Sequence, residues 1–294
     1  MDRRHMLKER TGAGHGNREV YIRVSDLTYV YNHGSAQEQA ALCDVNLDVC
    51  KGEFLALVGA NASGKSTLAR HFNALLLPTQ GKVTVDGMDT AKEEHLWEIR
   101  QRVGMVFQNP DNQIVSSLVE EDVAFGVENL GLPSEQVRRR VEEALRLTGM
   151  SEFRLHAPHM LSGGQNQRLA IAGVLAMRPD CLVLDEPSSM LDPVGRRELT
   201  EIVLDLNRTQ NVTVIWATHF MEEAALADRI QVMDAGRIVL NGTPEEVFED
   251  ESLIKKVGLE LPFVAKIAHR LRRRGILPPE GIVDLKELVS YLCR

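Results

Sequence analysis

One nine-residue segment, Gly59–Thr67, constrains the fold of this chain more than any other feature. Its letters, GANASGKST, fit the pattern G-x-x-x-x-G-K-[ST], in which backbone N–H groups wrap the phosphates of a nucleoside triphosphate. The apolar run Phe54–Val58 before it predicts a buried strand, and residues 68–76 after it predict a helix. This context suits phosphate binding, because a helix N-terminus carries partial positive charge. The predicted nucleotide-contacting residues of the segment are Gly59, Asn61, Ser63, Gly64, Lys65, Ser66 and Thr67.

Two of these residues have predicted chemical roles. Lys65 is expected to reach the β- and γ-phosphates, and Ser66 is expected to offer its hydroxyl to Mg²⁺. The segment therefore predicts a nucleotide site, but it does not say what the nucleotide is used for.

The hydrophobic pattern along the chain predicts an α/β fold. Residues 20–49 alternate between apolar and polar, which favours half-buried antiparallel strands. From 114 to about 159 the pattern is helical, and Ser134 is expected to cap one helix. The continuous apolar runs Cys181–Asp185 and Val212–Trp216 favour parallel strands covered on both faces. We expect a parallel-sheet core around the phosphate loop, an antiparallel β layer, a helical insertion and a small C-terminal tail.

Composition narrows the expected partners. The net charge is -8 with a pI of about 5.7, so no nucleic-acid partner is expected. No apolar run approaches the ~18–20 residues that span a bilayer. Residues 1–19 lack the apolar centre of a secretory signal and are predicted to be a disordered leader. The four cysteines include no C-x-x-C pair, which favours buried or incidental thiols.

A second candidate element is the acidic pair Asp185 and Glu186, at the end of the apolar run that begins at Cys181. Asp185 at the carboxyl end of a strand can hold Mg²⁺ through water, and Glu186 can orient or deprotonate a water that attacks the γ-phosphate. Alone, this pair is a weak signal, because many strands end in acidic residues.

The third element is the string LSGGQ at Leu161–Gln165, shortly before that strand. A helix N-cap would explain one serine or glycine of the string, but not all five residues. With this string the chain resembles the ATP-binding cassette (ABC) ATPases, which are P-loop NTPases with LSGGQ as their signature. The resemblance implies ATP and Mg²⁺ as ligands. It also implies a dimer, because the signature contacts the γ-phosphate held by the other subunit. The residues implied in this contact are Ser162, Gly163, Gly164 and Gln165.

Further positions match the ABC family residue by residue. Gln108 stands at the Q-loop glutamine, which senses Mg²⁺ and the attacking water, and His219 stands at the switch histidine. Asp192 matches the D-loop aspartate that links the two sites. Tyr31 is predicted to stack on adenine, with Tyr29 as the alternative. The implied catalytic residues are Glu186, His219 and Gln108, and the implied Mg²⁺ ligands are Ser66, Gln108 and Asp185.

Two positions depart from the family pattern. Ala62 replaces the glycine of many members, which would cost about 1 kcal/mol if that position has positive φ. Asn166 replaces the commoner lysine after the signature, which changes local charge but removes no phosphate donor.

Four segments resemble the ATPase subunits of energy-coupling factor (ECF) importers more specifically. They are Phe107–Gln113, Glu120–Gly126, Ser189–Pro193 and His219–Ala224. The asparagine-rich first segment resembles the first of the two ATPase types. The resemblance implies a second ATPase subunit, alike or related, an integral-membrane scaffold subunit and a substrate-binding membrane subunit. It implies uptake of vitamins or transition-metal ions and a peripheral position at the cytoplasmic face of the cell membrane.

The resemblance also suggests domain boundaries. We expect a cassette at 20–250, with its helical subdomain at about 114–160, and a C-terminal extension at 251–294 that contacts another subunit. The basic cluster at 270–274 predicts a solvated helix face or, alternatively, a membrane or subunit contact. The remaining functional alternatives are another ABC transporter, a soluble ABC protein acting on DNA or ribosomes, and a kinase built on the same phosphate loop.

Overall fold

The computed structural model describes residues 19–293, so residues 1–18 of the predicted leader lie outside the described part of the chain. The first layer is an antiparallel sheet at the N-terminal side. Its strands are β1 (Val20–Tyr31), β2 (Gln39–Cys50), β4 (Gln80–Val85) and β5 (Met88–Asp89), in the order β2-β1-β4-β5. Between β2 and β4 the chain enters the second layer through β3 (Phe54–Val58).

The second layer is a six-stranded sheet in the order β10-β9-β3-β8-β7-β6. Its other strands are β6 (Val103–Val106), β7 (Cys181–Asp185), β8 (Thr213–Thr218), β9 (Arg229–Asp234) and β10 (Arg237–Gly242). All neighbours are parallel except β10, which forms an antiparallel hairpin with β9. The sequence predicts a hairpin over residues 230–241 with its turn at 234–237, and the structure confirms it.

Helices cover both faces of the second sheet. In chain order, the α-helices of residues 19–293 are α1 (Lys65–Phe72), α2 (Leu96–Arg102), α3 (Val119–Glu128), α4 (Ser134–Leu147), α5 (Gly163–Ala176), α6 (Pro193–Gln210), α7 (Met221–Ala224), α8 (Pro244–Glu249), α9 (Glu251–Lys256), α10 (Phe263–Arg273) and α11 (Leu285–Leu292). None of the helices within 19–293 is long and apolar enough to cross a bilayer. The expected α/β architecture, with its antiparallel layer and helical insertion, is confirmed.

Two apolar clusters explain why the central strands are continuous hydrophobic runs. Along β3, Phe54, Ala56 and Val58 pack into a cluster with α3 to α6, whereas Leu55 and Leu57 pack toward α1 and the antiparallel sheet. Successive side chains of a strand point to opposite faces, so a strand buried on both faces needs apolar residues at every position.

The start of α4 differs from the prediction by one residue. Ser134 is the first helical residue, and Pro133 occupies the N-cap position without a side-chain hydrogen bond. The predicted capping role of Ser134 is therefore wrong. The extended backbone of Pro133, with φ −57° and ψ 144°, ends the preceding loop.

The C-terminal extension has two parts. Ile254, Leu259, Leu261 and Ala265 belong to the same apolar cluster as the covering helices of the main sheet. Further along, Ala268, Ile282 and Leu288 form a small cluster of their own. The first part of the extension is thus anchored on the cassette by buried side chains, and the second part packs mainly on itself.

Candidate nucleotide-binding site

Strand register brings the predicted site residues to one edge of the main sheet. Val58 pairs with Thr218, and Asp185 pairs with Ala217. The residues that follow β3, β7 and β8 therefore leave the sheet side by side, at the edge where parallel α/β sheets place their ligands. A cavity of about 670 Å³ lies there, lined by 61–67 together with Tyr31, Gln108, Glu186, Ser189 and His219.

The phosphate loop is held in a curled conformation. Lys65 Nζ donates hydrogen bonds to the carbonyl oxygens of Gly59 at 2.8 Å and Ala60 at 3.1 Å. A Cβ atom on Gly59 would lie 2.4 Å from Ser63 Oγ and 2.5 Å from the carbonyl oxygen of Met233, so only glycine fits there. Ser63 Oγ is buried and has no hydrogen-bond partner among the described residues. This free hydroxyl, beside Lys65 and the N-terminus of α1, fits an anionic phosphate.

The departure at Ala62 has a structural consequence. Its φ is 63°, in the left-handed region, which disfavours residues that carry a Cβ. The strain amounts to about 1–2 kcal/mol, and the loop keeps its conformation despite it.

The turn of the β9–β10 hairpin braces the same loop. Gly236 donates its N–H to the carbonyl oxygen of Ser63 at 2.9 Å, and Cys43 donates its N–H to the carbonyl oxygen of Gly236 at 2.9 Å. A Cβ on Gly236 would lie 2.6 Å from the carbonyl oxygen of Ala41, and φ is +74°, so glycine is required. Sequence reasoning predicted this turn but missed its contact with the loop, because nothing local to the turn indicates a partner 173 positions away.

Ser66 and Asp185 form the candidate cation site. Ser66 Oγ donates a 2.7 Å hydrogen bond to Asp185 Oδ1, which places two oxygen ligands together at the cavity. Burial raises the pKa of Asp185, and the bond from Ser66 opposes that rise. Within 19–293, no group of three or more histidine, cysteine or acidic residues could hold a metal. Two protein oxygens suit Mg²⁺, which binds few protein ligands and takes the rest from phosphates and water.

The carboxylate of Glu186 lies at the centre of the candidate catalytic group. Lys65 Nζ is 3.5 Å from Oε1, Gln108 Nε2 donates to Oε2 at 3.2 Å, and His219 Nδ1 is 3.3 Å from Oε2. Burial lowers the pKa of Lys65, and the charges of Glu186 and Asp185 oppose that effect. The structure thus brings together all three residues predicted to be catalytic.

The backbone of Glu186 is unusual. Its φ is 47°, in the left-handed region, and its N–H donates to the carbonyl oxygen of Ala217 at 2.9 Å. Non-glycine residues adopt this region at an energetic cost, and such residues cluster at functional sites. The bond to Ala217 fixes this turn directly beside the strand that leads to His219.

The two candidate tyrosines occupy different surroundings. Tyr31 lines the cavity, and its hydroxyl is 3.2 Å from Thr67 Oγ1. Tyr29 packs edge-on against His71, with 4.9 Å between ring centroids, and against the apolar cluster below α1. Of the two, Tyr31 is therefore placed for contact with a ligand in the cavity.

The signature segment and Asp192 do not line this cavity. Ser162 caps α5 in a capping box with Gln165, whose N–H donates to Ser162 Oγ at 3.3 Å. Asp192 caps α6 by accepting the N–H of Gly195 at 2.7 Å. A Cβ built on Gly163 meets no atom within 4 Å, so this helix end is open. Within one chain these residues act as helix caps and do not reach its own phosphate loop.

Asn166 contacts Asp111, a partner that the sequence did not suggest. Its Nδ2 donates to Asp111 Oδ1 at 3.4 Å, which connects α5 to the loop after Gln108. Gln113 in that loop donates to the carbonyl oxygen of Ala170 at 3.4 Å. The segment Phe107–Gln113 is therefore attached to the signature helix by polar side chains.

Comparison with known proteins gives a consistent result. Residues 42–189 match the family model described as ABC transporter. The "Energy-coupling factor transporter ATP-binding protein EcfA1" of Caldanaerobacter subterraneus subsp. tengcongensis is 55% identical over 273 residues, covering 93% of this chain and 99% of that protein.

Solved structures agree with the sequence relatives. The structure of cbiO1 from Clostridium perfringens, described as part of the ABC transporter complex cbiONQ, has a TM-score of 0.73 at 37% identity and covers 85% of this chain and 99% of that one. A dimeric post-hydrolysis state of the ATP-binding cassette MJ0796 bound to ADP and Pi has a TM-score of 0.70 at 30% identity. The match covers 76% of this chain and 98% of that one. The chain therefore belongs to the ATP-binding proteins of energy-coupling factor transporters, ABC ATPases that couple ATP hydrolysis to transport.

Proposed function

We propose that this chain binds Mg²⁺-ATP in the cavity at Gly59–Thr67 and hydrolyses it to drive an ECF-type importer of vitamins or transition-metal ions. One observation carries the proposed site: the Glu186 carboxylate contacts Lys65, Gln108 and His219 beside the Ser66–Asp185 pair. Phosphoryl transfer to water needs a base, a positive charge and polar side chains around one cavity, and these residues provide them.

The nucleotide is held by three groups of residues in this proposal. Tyr31 stacks on adenine, and the N–H groups of the phosphate loop surround the β- and γ-phosphates. Lys65 exchanges its carbonyl contacts for contacts with phosphate oxygens. The loop residues assigned to this contact are Gly59, Asn61, Ser63, Gly64, Lys65, Ser66 and Thr67.

Ser66, Asp185 and Gln108 are the residues that would hold Mg²⁺. When bound, the ion neutralises charge on the β- and γ-phosphate oxygens. Glu186 orients a water molecule and accepts its proton as the water attacks the γ-phosphate. His219 donates a hydrogen bond toward the γ-phosphate, and Gln108 helps to position the water. The contacts of Glu186 with both side chains support this division of roles.

A second ATPase subunit completes each site in this proposal. The open end of α5, with Ser162, Gly163, Gly164 and Gln165, closes over the phosphates held by that subunit, and Asp192 links the two sites. The exposure of Ser162 and the free space at Gly163 support this assignment. The dimeric structure of the MJ0796 cassette supports it independently.

The membrane scaffold is proposed to dock at the helical insertion. A groove of about 920 Å³ lies between α3 and α4, and Phe125 at its edge is 54% exposed. A cytoplasmic helix of the scaffold subunit would bury this ring. The chain would thus sit peripherally at the cytoplasmic face of the membrane, beside the scaffold and the substrate-binding subunit. We also propose a cassette at 20–250 and an extension at 251–294 that contacts another subunit.

Purification of the tagged chain from detergent-solubilised membranes tests the transport assignment. We expect an ATP-hydrolysing complex with integral membrane proteins, identified by mass spectrometry, and with a bound vitamin or transition metal. Recovery of ribosomes or DNA in place of membrane proteins would contradict the proposal.

A further inference from the structure

A buried carboxylate on α7 lies outside the nucleotide cavity but connects the loops that form it. Glu223 is 5% exposed. Ser188 Oγ donates to its Oε1 at 2.5 Å, and Thr218 Oγ1 donates to its Oε2 at 2.6 Å. The two carboxylate oxygens therefore hold two different segments of the chain, one on each side.

Both segments carry a residue of the proposed catalytic group. Ser188 is two residues after Glu186, and Thr218 directly precedes His219. Thr218 Oγ1 also accepts the N–H of Phe220 at 2.9 Å, so the hydroxyl fixes the backbone on both sides of His219. The side chain of Glu223 thus links the loop after β7 to the loop after β8, in addition to the backbone bond from Glu186 to Ala217.

Helix α6, which Asp192 caps, contacts the same part of the structure through Arg196. The guanidinium carbon of Arg196 lies 3.6 Å from the centroid of the Phe220 ring, and Arg196 Nε is 3.9 Å from Glu223 Oε1. The Phe220 ring in turn lies 4.1 Å from the His219 ring, centroid to centroid. Arg196 therefore connects Glu223 to the Phe220 ring, which packs against the ring of His219.

Stability alone gives a weak reason for this arrangement. Burying a carboxylate is unfavourable unless it is paired, and a well-packed apolar side chain at such a position is often as stable or more so. Burial raises the pKa of Glu223, and the bonds from Ser188 and Thr218 oppose that rise. Unlike an apolar contact, directional hydrogen bonds fix the geometry between the two loops.

We propose that Glu223 is a positioning residue for ATP hydrolysis, which holds His219 and Glu186 at their working separation through Thr218 and Ser188. The inference rests on the proposed roles of Glu186 and His219. Because Glu223 does not line the nucleotide cavity, its loss should lower turnover while nucleotide binding is kept.

Thr218 offers a matched pair of variants. Thr218→Val keeps the shape of the side chain and removes the hydroxyl, whereas Thr218→Ser keeps the hydroxyl. In the purified transporter complex we expect Thr218→Val and Glu223→Gln to lower kcat by about 10- to 100-fold, the range for small misplacement of reacting groups. We expect Thr218→Ser to stay near the wild-type rate. Glu222→Gln, on the adjacent exposed residue of α7, is the control and should change nothing.

Nucleotide affinity separates positioning from general damage. A fluorescent ATP analogue should bind Thr218→Val and Glu223→Gln with wild-type Kd, while kcat falls. Wild-type kcat in both variants, or loss of binding in parallel with kcat, would overturn the inference. Glu186→Gln is assayed alongside. Near-normal hydrolysis in Glu186→Gln would contradict the proposed catalytic role of Glu186. If Glu186→Gln loses hydrolysis while Glu223→Gln keeps normal turnover, only the positioning role of Glu223 is contradicted.

Discussion

Ser66 Oγ donates a 2.7 Å hydrogen bond to Asp185 Oδ1, although the two residues are 119 positions apart. The contact arises because Ser66 lies in the first turn of the helix after β3, and Asp185 ends β7 at the same edge of the sheet. The fold therefore assembles a pair of oxygen ligands from two segments that the sequence keeps far apart. This pair is the part of the site that we assign to Mg²⁺.

Removal of the Ser66 hydroxyl should weaken the response to Mg²⁺. Ser66→Ala deletes one of the two clustered ligands, so we expect the Mg²⁺ concentration for half-maximal ATP hydrolysis to rise about tenfold, as for loss of one charge-assisted interaction of roughly 1.5 kcal/mol. A Mg²⁺ titration of ATPase activity measures this. Ser290→Ala, at an exposed position of α11, serves as the control. An unchanged Mg²⁺ requirement in Ser66→Ala would remove Ser66 from the cation site.

The same substitution at the two tyrosines should distinguish their roles. Tyr31→Leu removes an aromatic ring from the cavity, so we expect ATP affinity to fall by about 10- to 100-fold, since stacking of a base on an aromatic side chain contributes roughly 1–3 kcal/mol. Tyr29→Leu should lower affinity much less and act mainly on stability, because Tyr29 lies outside the cavity lining and packs edge-on against His71 and Tyr31. Equilibrium binding of ATP to both variants is the measurement. The reverse order of affinities would assign adenine stacking to Tyr29.

An ion pair between the end of the cassette and the extension predicts a pH-dependent stability. Arg272 Nη1 donates to both oxygens of Glu249, at 2.8 and 2.7 Å, and Gly281 donates its N–H to Oε1 at 2.5 Å. Burial acts to raise the pKa of Glu249, but these hydrogen bonds outweigh it, and the pKa lies below its ordinary value of 4.5. The pair therefore stabilises the fold above pH 4.5, and this contribution is lost as the pH falls through the lowered pKa.

Glu249→Gln should show this dependence. We expect the variant to be less stable than wild type at pH 7 by about 1–2 kcal/mol, and the difference to shrink below pH ~4.5 as the native carboxylate is protonated. Denaturant unfolding at several pH values measures the difference. Glu280→Gln, at an exposed carboxylate of the extension, is the matched control. A difference that stays constant down to pH 3 would contradict the ionic origin.

The sequence predicted those parts of the site that depend on local pattern. The phosphate loop, the acidic pair after β7 and the signature string were all visible as short motifs, because each needs a fixed set of residues within one segment. The sequence predicted a parallel sheet but not the order of its strands. Hydrophobic runs show that a strand is covered on both faces, but they do not show which strand lies beside it.

Long-range side-chain contacts could not be predicted in the same way. Gly236 under the phosphate loop and Glu223 between two loops contact residues whose identity no local pattern encodes. The basic cluster in the extension shows the same limit. Its composition predicts a solvated face, and Arg270, Arg273 and Arg274 are exposed, but the pairing of the part-buried Arg272 with Glu249 could not be predicted. These contacts depend on how distant helices pack, which emerges only when the chain is folded.

The central claim is that Glu186 activates the attacking water, and the most direct test is the turnover of Glu186→Gln in the purified complex. The amide keeps the size of the side chain but cannot accept the proton. We expect ATP to bind with wild-type affinity and kcat to fall by at least ~10²-fold, the range for loss of a general base. ATP hydrolysis at a near-normal rate in this variant would contradict the account.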